Sequence, residues 1–247
     1  MSKHTPNRSV RRNTHHSPRR LYRISTLLIM LTVASFAGCG GGGNSNNSAV
    51  GATVQNAGTE SAPPRGLLQL GNTCFINTAL QLVVRSTARD AVIVNETVDP
   101  AIRTLLELYA TAPSDTLDAA LRRAVDALRK RPEFSNGGPG FTVDVLKALG
   151  VQLYPASDAA EISNALSNST VFQLNGMPLA YKELPSRDRI VAFDFSNGGH
   201  FVAYVKCGPT WYLLDDAKVT PVTEEILNML PVYNADGSLT IEVVIYR

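Results

Sequence analysis

The chain is poor in the side chains that carry out most enzyme chemistry. Its 247 residues include only four histidines, three cysteines and one tryptophan. Three histidines and one cysteine lie in the first 39 positions: His4, His15, His16 and Cys39. Everything after that has one histidine, His200, and two thiols, Cys74 and Cys207. Chemistry that pairs a thiol with an imidazole must therefore use His200.

Acidic residues are missing from the first 23 positions, which carry seven basic residues. Of the 23 basic and 21 acidic residues in the chain, the remainder then has 16 basic and 21 acidic, a net charge of −5. Binding to a phosphate backbone requires a basic surface. The composition thus argues against a nucleic-acid partner.

The chain also lacks a long hydrophobic run. Residues 24–37 are mostly apolar, but a bilayer span needs about 20 such residues. A basic flank, a short apolar core and small residues at its end are typical of a secretory signal. We therefore expect residues 1–39 to be a signal peptide and residues 40–64, rich in Gly, Ser, Asn and Ala, to be a flexible tether. Residues 65–247 have the length and composition of one globular domain.

The end of the apolar run, Phe36-Ala37-Gly38-Cys39, resembles a bacterial lipobox, although that family usually has Leu at the position of Phe36. The resemblance implies that Cys39 becomes the lipidated first residue of an exported lipoprotein. The lipid would be the only membrane contact, at the envelope or cell surface, with release into a host as a further destination. The alternative is an ordinary signal peptide cleaved near Ala37.

Local patterns within residues 65–247 predict helices first and strands last. Apolar spacing and capping residues predict helices at 74–87, 99–109, 114–128, 142–149 and 157–166. Runs of β-branched and aromatic residues predict strands at 171–174, 189–195, 200–206, 211–214 and 240–246. The short turns between them favour antiparallel pairing, so the fold class predicted is α+β.

This order of elements suits thiol chemistry. A thiol at the first turn of a helix feels the positive end of the helix dipole, which favours the reactive thiolate. A histidine on a neighbouring strand can accept and return its proton, and a carboxylate must orient that histidine. If residues 200–206 and 211–216 form a hairpin, Asp215 or Asp216 comes to lie beside His200.

Two segments resemble a known family. Residues 66–81 (GLLQLGNTCFINTALQ) are similar to the cysteine box of the ubiquitin-specific proteases, which are papain-like cysteine peptidases. Residues 198–205 (GGHFVAYV) and 211–216 (WYLLDD) are similar to the histidine box of that family. The resemblance implies a compact member with a papain-like fold, a helical part followed by an antiparallel sheet.

The resemblance also implies residue roles. Cys74 would be the nucleophile, His200 the base and Asp215 the orienting acid, with Asp216 as a support or alternate acid. Gln69 stands where the family has an oxyanion-stabilising Asn, so the amide is retained on a longer arm. The backbone N–H of Cys74 would be the second oxyanion donor.

The implied reaction is hydrolysis after the C-terminal glycine of ubiquitin or a ubiquitin-like protein through a thioester, without a cofactor. Gly198 and Gly199 would form walls of a narrow substrate channel, with Trp211 as a further substrate-binding residue. The zinc-binding fingers of the family, built from two Cys-x-x-Cys pairs, are incompatible with the cysteines present, so no metal is expected. We expect a monomer.

Two other functions stay open. One is a papain-like peptidase or amidase that acts on bacterial envelope or secreted peptides, which would suit an exported protein. The other is a non-catalytic binding domain. Within the site, a Cys74–Cys207 disulfide competes with a reactive Cys74, and Cys207 is interpreted as an incidental turn residue. Asp144 is interpreted as a surface residue.

Overall fold

A computed structural model describes residues 63–176 and 178–247. The predicted signal peptide, Cys39 and most of the tether lie outside the described residues, so the domain organisation stays a prediction. No helix in the described part is long and apolar enough to cross a membrane.

Most of the helices precede most of the strands. The first five are α1 Cys74–Val84, α2 Ala88–Val94, α3 Pro100–Leu108, α4 Ser114–Arg129 and α5 Thr142–Ala148. Two shorter helices follow later, α6 Ala159–Ala165 and α7 Glu224–Asn228, and single 3-10 turns occupy Pro132–Phe134, Tyr181–Glu183 and Arg187–Arg189.

Helix α1 is shorter than the predicted 74–87. The N–H of Arg85 donates to the carbonyl of Leu82 at 3.1 Å and the N–H of Ser86 to that of Val83 at 3.0 Å. Such bonds to the third preceding residue tighten the last turn and end the helix. The chain then continues as α2, which the sequence patterns did not predict.

Seven strands form one sheet. They are β1 Tyr154–Ala156, β2 Val171–Leu174, β3 Ile190–Ser196, β4 Phe201–Cys207, β5 Thr210–Asp215, β6 Lys218–Val222 and β7 Val243–Tyr246, in the spatial order β1-β2-β7-β3-β4-β5-β6. The α+β class is confirmed. The prediction of an antiparallel sheet is wrong at one edge, where β1 and β2 run parallel. Helix α6 connects these two strands, and a helical crossover returns the chain in the same direction.

The sheet has a hydrophobic cluster on each face. Along β4, Phe201, Ala203 and Val205 join one cluster, whereas Tyr204 joins the other. This alternation follows from the two-residue period of a strand. The first cluster also contains the apolar residues of α1, all of whose side chains are buried. Helix α1 therefore lies between the sheet and the other helices.

Candidate active site

His200 lies immediately before β4, next to Asp215, the last residue of β5, and Asp216, which follows that strand. The strands pair antiparallel with Ala203 opposite Leu214. This register brings the His200 ring Nε2 to 2.6 Å from Asp215 Oδ1 and 3.9 Å from Asp216 Oδ2. The hairpin expected from the sequence is thus present, and Asp215 makes the shorter contact.

The hydrogen bond to Asp215 determines how the imidazole is used. Because a carboxylate only accepts, the neutral ring carries its proton on Nε2, and Nδ1 is left as the acceptor. No hydrogen bond to Nδ1 occurs within the described part of the chain. This arrangement allows His200 to accept a proton on Nδ1, and Asp215 can stabilise the imidazolium that forms.

Cys74 is the first residue of α1 and is nearly buried. The chain reaches it through two residues with left-handed backbone, Gly71 (φ 72°) and Asn72 (φ 48°). Glycine and asparagine adopt that conformation at the least cost. The backbone N–H of Cys74 belongs to the first turn, whose N–H groups have no partner inside the helix. Cys74 and Cys207 are both free thiols.

The Gln69 side chain is anchored at one end only. Its Oε1 accepts hydrogen bonds from the Thr73 N–H at 2.8 Å and from the Thr73 hydroxyl at 2.6 Å. A backbone N–H can only donate, so the amide oxygen must face Thr73. The Gln69 NH2 group therefore points away from Thr73 and is available as a donor.

The segment before Cys74 is held by residues that the sequence analysis missed. Arg129, in the last turn of α4, donates to the carbonyls of Leu70 at 3.1 Å and Gly71 at 2.7 Å. The Asn72 side chain donates to the carbonyl of Gly137 at 3.3 Å. No motif marks Arg129, since a basic residue in the last turn of a helix is common for electrostatic reasons alone.

Asn77 connects helix α1, which begins with Cys74, to Asp216. Its Nδ2 donates to Asp216 Oδ1 at 2.7 Å. Asn77 follows Cys74 by three residues, and residues at this spacing share a helix face. Helix α1 also packs on β4, and Cys74 belongs to the same core cluster as Phe201, the residue after His200. The face of α1 that carries Cys74 is therefore directed at the His200 hairpin.

Gly198 and Gly199 lie in the turn before His200. Gly198 has a φ of 84°, which favours glycine, and a Cβ there would lie 3.6 Å from a carboxylate oxygen of Asp236. A Cβ on Gly199 would meet no atom within 4 Å. Packing within the described chain therefore does not require glycine at 199, and the backbone there faces open space.

Trp211 does not line the site. It is 3% exposed and belongs to the core cluster on the far face of the sheet from α1. Its ring contacts Tyr181 edge to face, with centroids 5.9 Å apart, and lies 5.6 Å from that of Phe193. The assignment of Trp211 to substrate binding is corrected, because its position in β5 directs it away from the His200 face. Cys207 is likewise buried, as the last residue of β4 rather than in the turn.

A cleft of about 290 Å³ is lined in part by Phe141, Asp144 and Glu242 and by none of Cys74, His200 and Asp215. Asp144 is exposed, as expected, and the ring of Phe141 meets that of Phe201 edge to face at 6.3 Å. Burial and the negative charges of Asp194 and Asp144 raise the pKa of Glu242 to about 7. The sequence offered no signal for Glu242, which lies within an ordinary strand-like run.

The surroundings of Asp216 act on its charge in opposite directions. The pKa of Asp216 is raised by burial and, to a smaller extent, by the charge of Asp215. The hydrogen bond from Asn77 and the proximity of His200 oppose this rise. Among groups of three or more His, Cys, Asp or Glu residues in the described chain, only His200, Asp215 and Asp216 have ligand-type atoms that all lie within 4.8 Å of one another. Hydrogen bonds join His200 to Asp215 and Asp216 to Asn77.

Among known proteins, the chain is similar to solved structures only. No protein-family model matches the sequence, and no curated protein matches it. The SAGA DUB module of Ubp8, Sgf11, Sus1 and Sgf73 bound to monoubiquitin is similar, at 10% identity and a TM-score of 0.49 over 78% of this chain and 73% of that one. The same module bound to ubiquitin aldehyde is similar at 11% identity and a TM-score of 0.48, over 74% of this chain and 69% of that one. Likeness of this degree does not identify catalytic residues or a substrate.

Proposed function

We propose that this protein is a cysteine-dependent hydrolase that cleaves after the C-terminal glycine of ubiquitin or a ubiquitin-like protein. The observation that carries the proposal is the 2.6 Å contact between His200 Nε2 and Asp215, on a hairpin joined to the helix that begins with Cys74. The resemblance of both segments to the boxes of the ubiquitin-specific proteases supports the substrate class.

The reaction divides into two acyl transfers. His200 Nδ1 takes the proton of Cys74, and the sulfur attacks the carbonyl carbon of the terminal glycine. The negative oxygen accepts hydrogen bonds from the Gln69 NH2 group and the Cys74 N–H. The imidazolium returns the proton to the leaving amine, which leaves a thioester. Water, deprotonated by His200, then attacks the thioester, and the thiol is regenerated together with a free carboxylate.

Two features of the site support a glycine-terminated substrate. The turn at Gly198 and Gly199 carries no side chain immediately before His200. The open space beside Gly199 allows a substrate backbone to approach the imidazole closely, since no Cβ intervenes. We propose that this turn is one wall of the channel that holds the substrate tail. Asp215 acts as the orienting acid and Asp216 as its support.

Covalent capture tests the proposal. The full chain is incubated with ubiquitin that carries a C-terminal electrophile, and the adduct is detected by mass spectrometry. We expect one adduct, located at Cys74, which Cys74→Ala abolishes. The matched control is Cys207→Ala, which removes the other described thiol and should leave capture unchanged. Alkylation of Cys74 by a small electrophile without capture of ubiquitin would contradict the proposed substrate.

The export-type N-terminus favours a second candidate, a peptidase or amidase that acts on envelope peptides. The same acyl transfer through Cys74 and His200 would cleave such peptides, with a substrate channel of a different shape. If the protein hydrolyses envelope-derived peptides and neither cleaves nor captures ubiquitin, this candidate is favoured. Absence of any thiol reactivity at Cys74 would instead leave a non-catalytic binding domain.

We also propose that the protein is an exported lipoprotein anchored through Cys39. The support is the sequence of residues 36–39 and the tether that follows. Expression in a bacterium with an alkyne-labelled fatty acid should label the chain, and Cys39→Ser should remove the label. A chain that is exported and cleaved near Ala37 without label would show an ordinary signal peptide.

A further inference from the structure

We propose that Asn77 is a positioning residue that sets the His200–Asp215 pair relative to Cys74 by holding Asp216. The inference rests on the proposed thiol chemistry and adds a residue to it. Among the side chains of α1 in the described chain, only that of Asn77 donates a hydrogen bond to Asp215 or Asp216; its acceptor is Asp216. Asn77 does not touch the reacting atoms in this proposal and acts through Asp216.

The location of Asn77 requires an explanation. It is 1% exposed, on a helix whose residues are all buried, and a buried amide is unfavourable unless it forms hydrogen bonds. Its Nδ2 donates to Asp216 at 2.7 Å and to the carbonyl of Leu68 at 3.0 Å, with a longer contact of 3.4 Å to Leu67. The amide thus links α1, the segment before Cys74 and the acid pair.

Backbone contacts make the same junction rigid. The N–H of Leu67 donates to the carbonyl of Asp216 at 2.8 Å. A Cβ on Gly66 would lie 2.2 Å from the carbonyl oxygen of Ala217, so only glycine allows these two segments to lie together. Asp216 itself has a left-handed backbone, with a φ of 51°. The turn after β5 is therefore held against the segment that leads to Cys74.

The hydrogen bond also orients the charge of Asp216. With Oδ1 bound to Asn77, the second oxygen, Oδ2, is the one that lies 3.9 Å from His200. A charge-assisted hydrogen bond of this length is stronger than a neutral one. Asn77 therefore keeps a negative charge near the imidazolium that forms when Cys74 loses its proton, and Asp215 remains the direct partner of the ring.

A pair of matched substitutions tests the inference. Asn77→Leu removes the hydrogen bonds of a buried amide on α1. Gln81→Leu also replaces a buried amide, one turn later on α1, but neither polar atom of that amide has a hydrogen-bond partner in the described chain. We expect Asn77→Leu to lower kcat for a ubiquitin C-terminal amide about 100-fold with little change in KM, because small displacements in a site can cost that much. Gln81→Leu should stay within about twofold of wild type.

A double-mutant cycle tests whether Asn77 works through Asp216. Asp216→Ala removes the partner, so Asn77→Leu should cost little more in that background. Asp216→Asn keeps an acceptor oxygen for Asn77 and should retain more activity than Asp216→Ala. Independent, additive losses from Asn77→Leu and Asp216→Ala would overturn the inference.

A second variant covers the case in which Asn77→Leu does not fold. Asn77→Asp has the same shape but sets two carboxylates against each other, and we expect a loss at least as large. Combining it with Asp216→Asn restores a donor and an acceptor in reversed order. Recovery of about tenfold or more in kcat would support the role of the contact, and no recovery would count against it.

The rate at which iodoacetamide alkylates Cys74, measured against pH, separates this inference from the substrate proposal. It requires no ubiquitin and depends on the thiolate, which His200, Asp215 and Asp216 stabilise together. We expect Asn77→Leu to shift the pH at which alkylation reaches half its maximum and Gln81→Leu to leave it unchanged. A profile identical to wild type in Asn77→Leu would overturn the inference even if ubiquitin is the substrate. The predicted shift without ubiquitin turnover would support Asn77 and reject only the substrate.

Discussion

At the scale of single residues, the atoms around Gln69 decide which chemistry is available to it. The Thr73 N–H and hydroxyl occupy its oxygen, so the nitrogen is left for the proposed oxyanion role. In the proposed oxyanion role, the anchor on Thr73 would compensate for the longer arm of Gln69 relative to an Asn. The Thr73 hydroxyl accepts in turn from the N–H of Leu70 at 2.9 Å, so the amide belongs to an ordered turn.

Gln69→Glu tests the oxyanion role without removing the anchor. The substituted side chain keeps an oxygen for Thr73 but loses the donor, and its charge repels the developing oxyanion. We expect kcat to fall about 10²- to 10³-fold, the loss typical of a missing oxyanion donor. Alkylation of Cys74 by iodoacetamide forms no oxyanion and should be nearly unchanged. A wild-type kcat would assign the stabilisation to backbone donors alone.

At the scale of elements, the position of the thiol depends on contacts between α4 and the segment before α1. Arg129 reaches two carbonyls of that segment, and α3 packs against α4. Local patterns located α1, α3, α4, α5 and α6, although only α3 and α6 among them have a side-chain cap. Asp99 accepts from the Ala101 N–H at 2.9 Å before Pro100, as expected for the start of α3. The patterns missed α2, α7, β1 and β6. Strand β1, for example, is defined by its pairing with the distant β2.

Arg129→Met should weaken the contacts that hold the segment before Cys74. It keeps most of the aliphatic stem but removes the donors to Leu70 and Gly71. We expect a loss of about 1–3 kcal/mol in the free energy of unfolding and a decrease in kcat of about tenfold, measured by urea unfolding and by turnover. Arg123→Met, at an exposed position of the same helix, is the control and should change neither. A normal kcat in Arg129→Met would show that the left-handed turn alone positions Cys74.

At the scale of the whole molecule, one carboxylate is buried in the centre of the sheet. Asp194 of β3 is completely buried, and its Oδ1 accepts the N–H groups of Glu242 at 2.9 Å and Val243 at 2.7 Å. Burial raises its pKa from 3.8 to about 6, against the opposing effect of these two hydrogen bonds. Asp194 connects β3 to the chain entering β7 at the cost of a charge held away from water.

This burial predicts a pH dependence of stability. The folded chain binds the Asp194 proton more tightly than the unfolded chain does. The stabilisation is thus complete below about pH 4 and is lost as the pH rises through about 6. The pKa of Glu242, about 7, extends the loss in the same direction. The rise in the pKa of Asp194 from 3.8 to about 6 corresponds to about 3 kcal/mol of folding free energy.

Calorimetry between pH 4 and pH 8 measures this dependence. Asp194→Asn keeps an acceptor for both N–H groups but cannot ionise, so its melting temperature should fall less than that of the wild type as the pH rises. Asp126→Asn, at an exposed position of α4, should leave the wild-type slope unchanged. Parallel curves for Asp194→Asn and the wild type would contradict a raised pKa at Asp194.

The sequence by itself determined which residues are available for thiol chemistry, the α+β class and the hairpin that brings Asp215 to His200. Scarcity of histidine and cysteine, capping residues and strand periodicity are local properties that can be recognised without coordinates. Only the tertiary structure decided that Trp211 lies in the core, that β1 pairs parallel to β2, and that Asn77 holds Asp216. Asn77 and Asp216 are 139 positions apart, and no spacing rule specifies such a contact, because it depends on how α1 packs against the sheet.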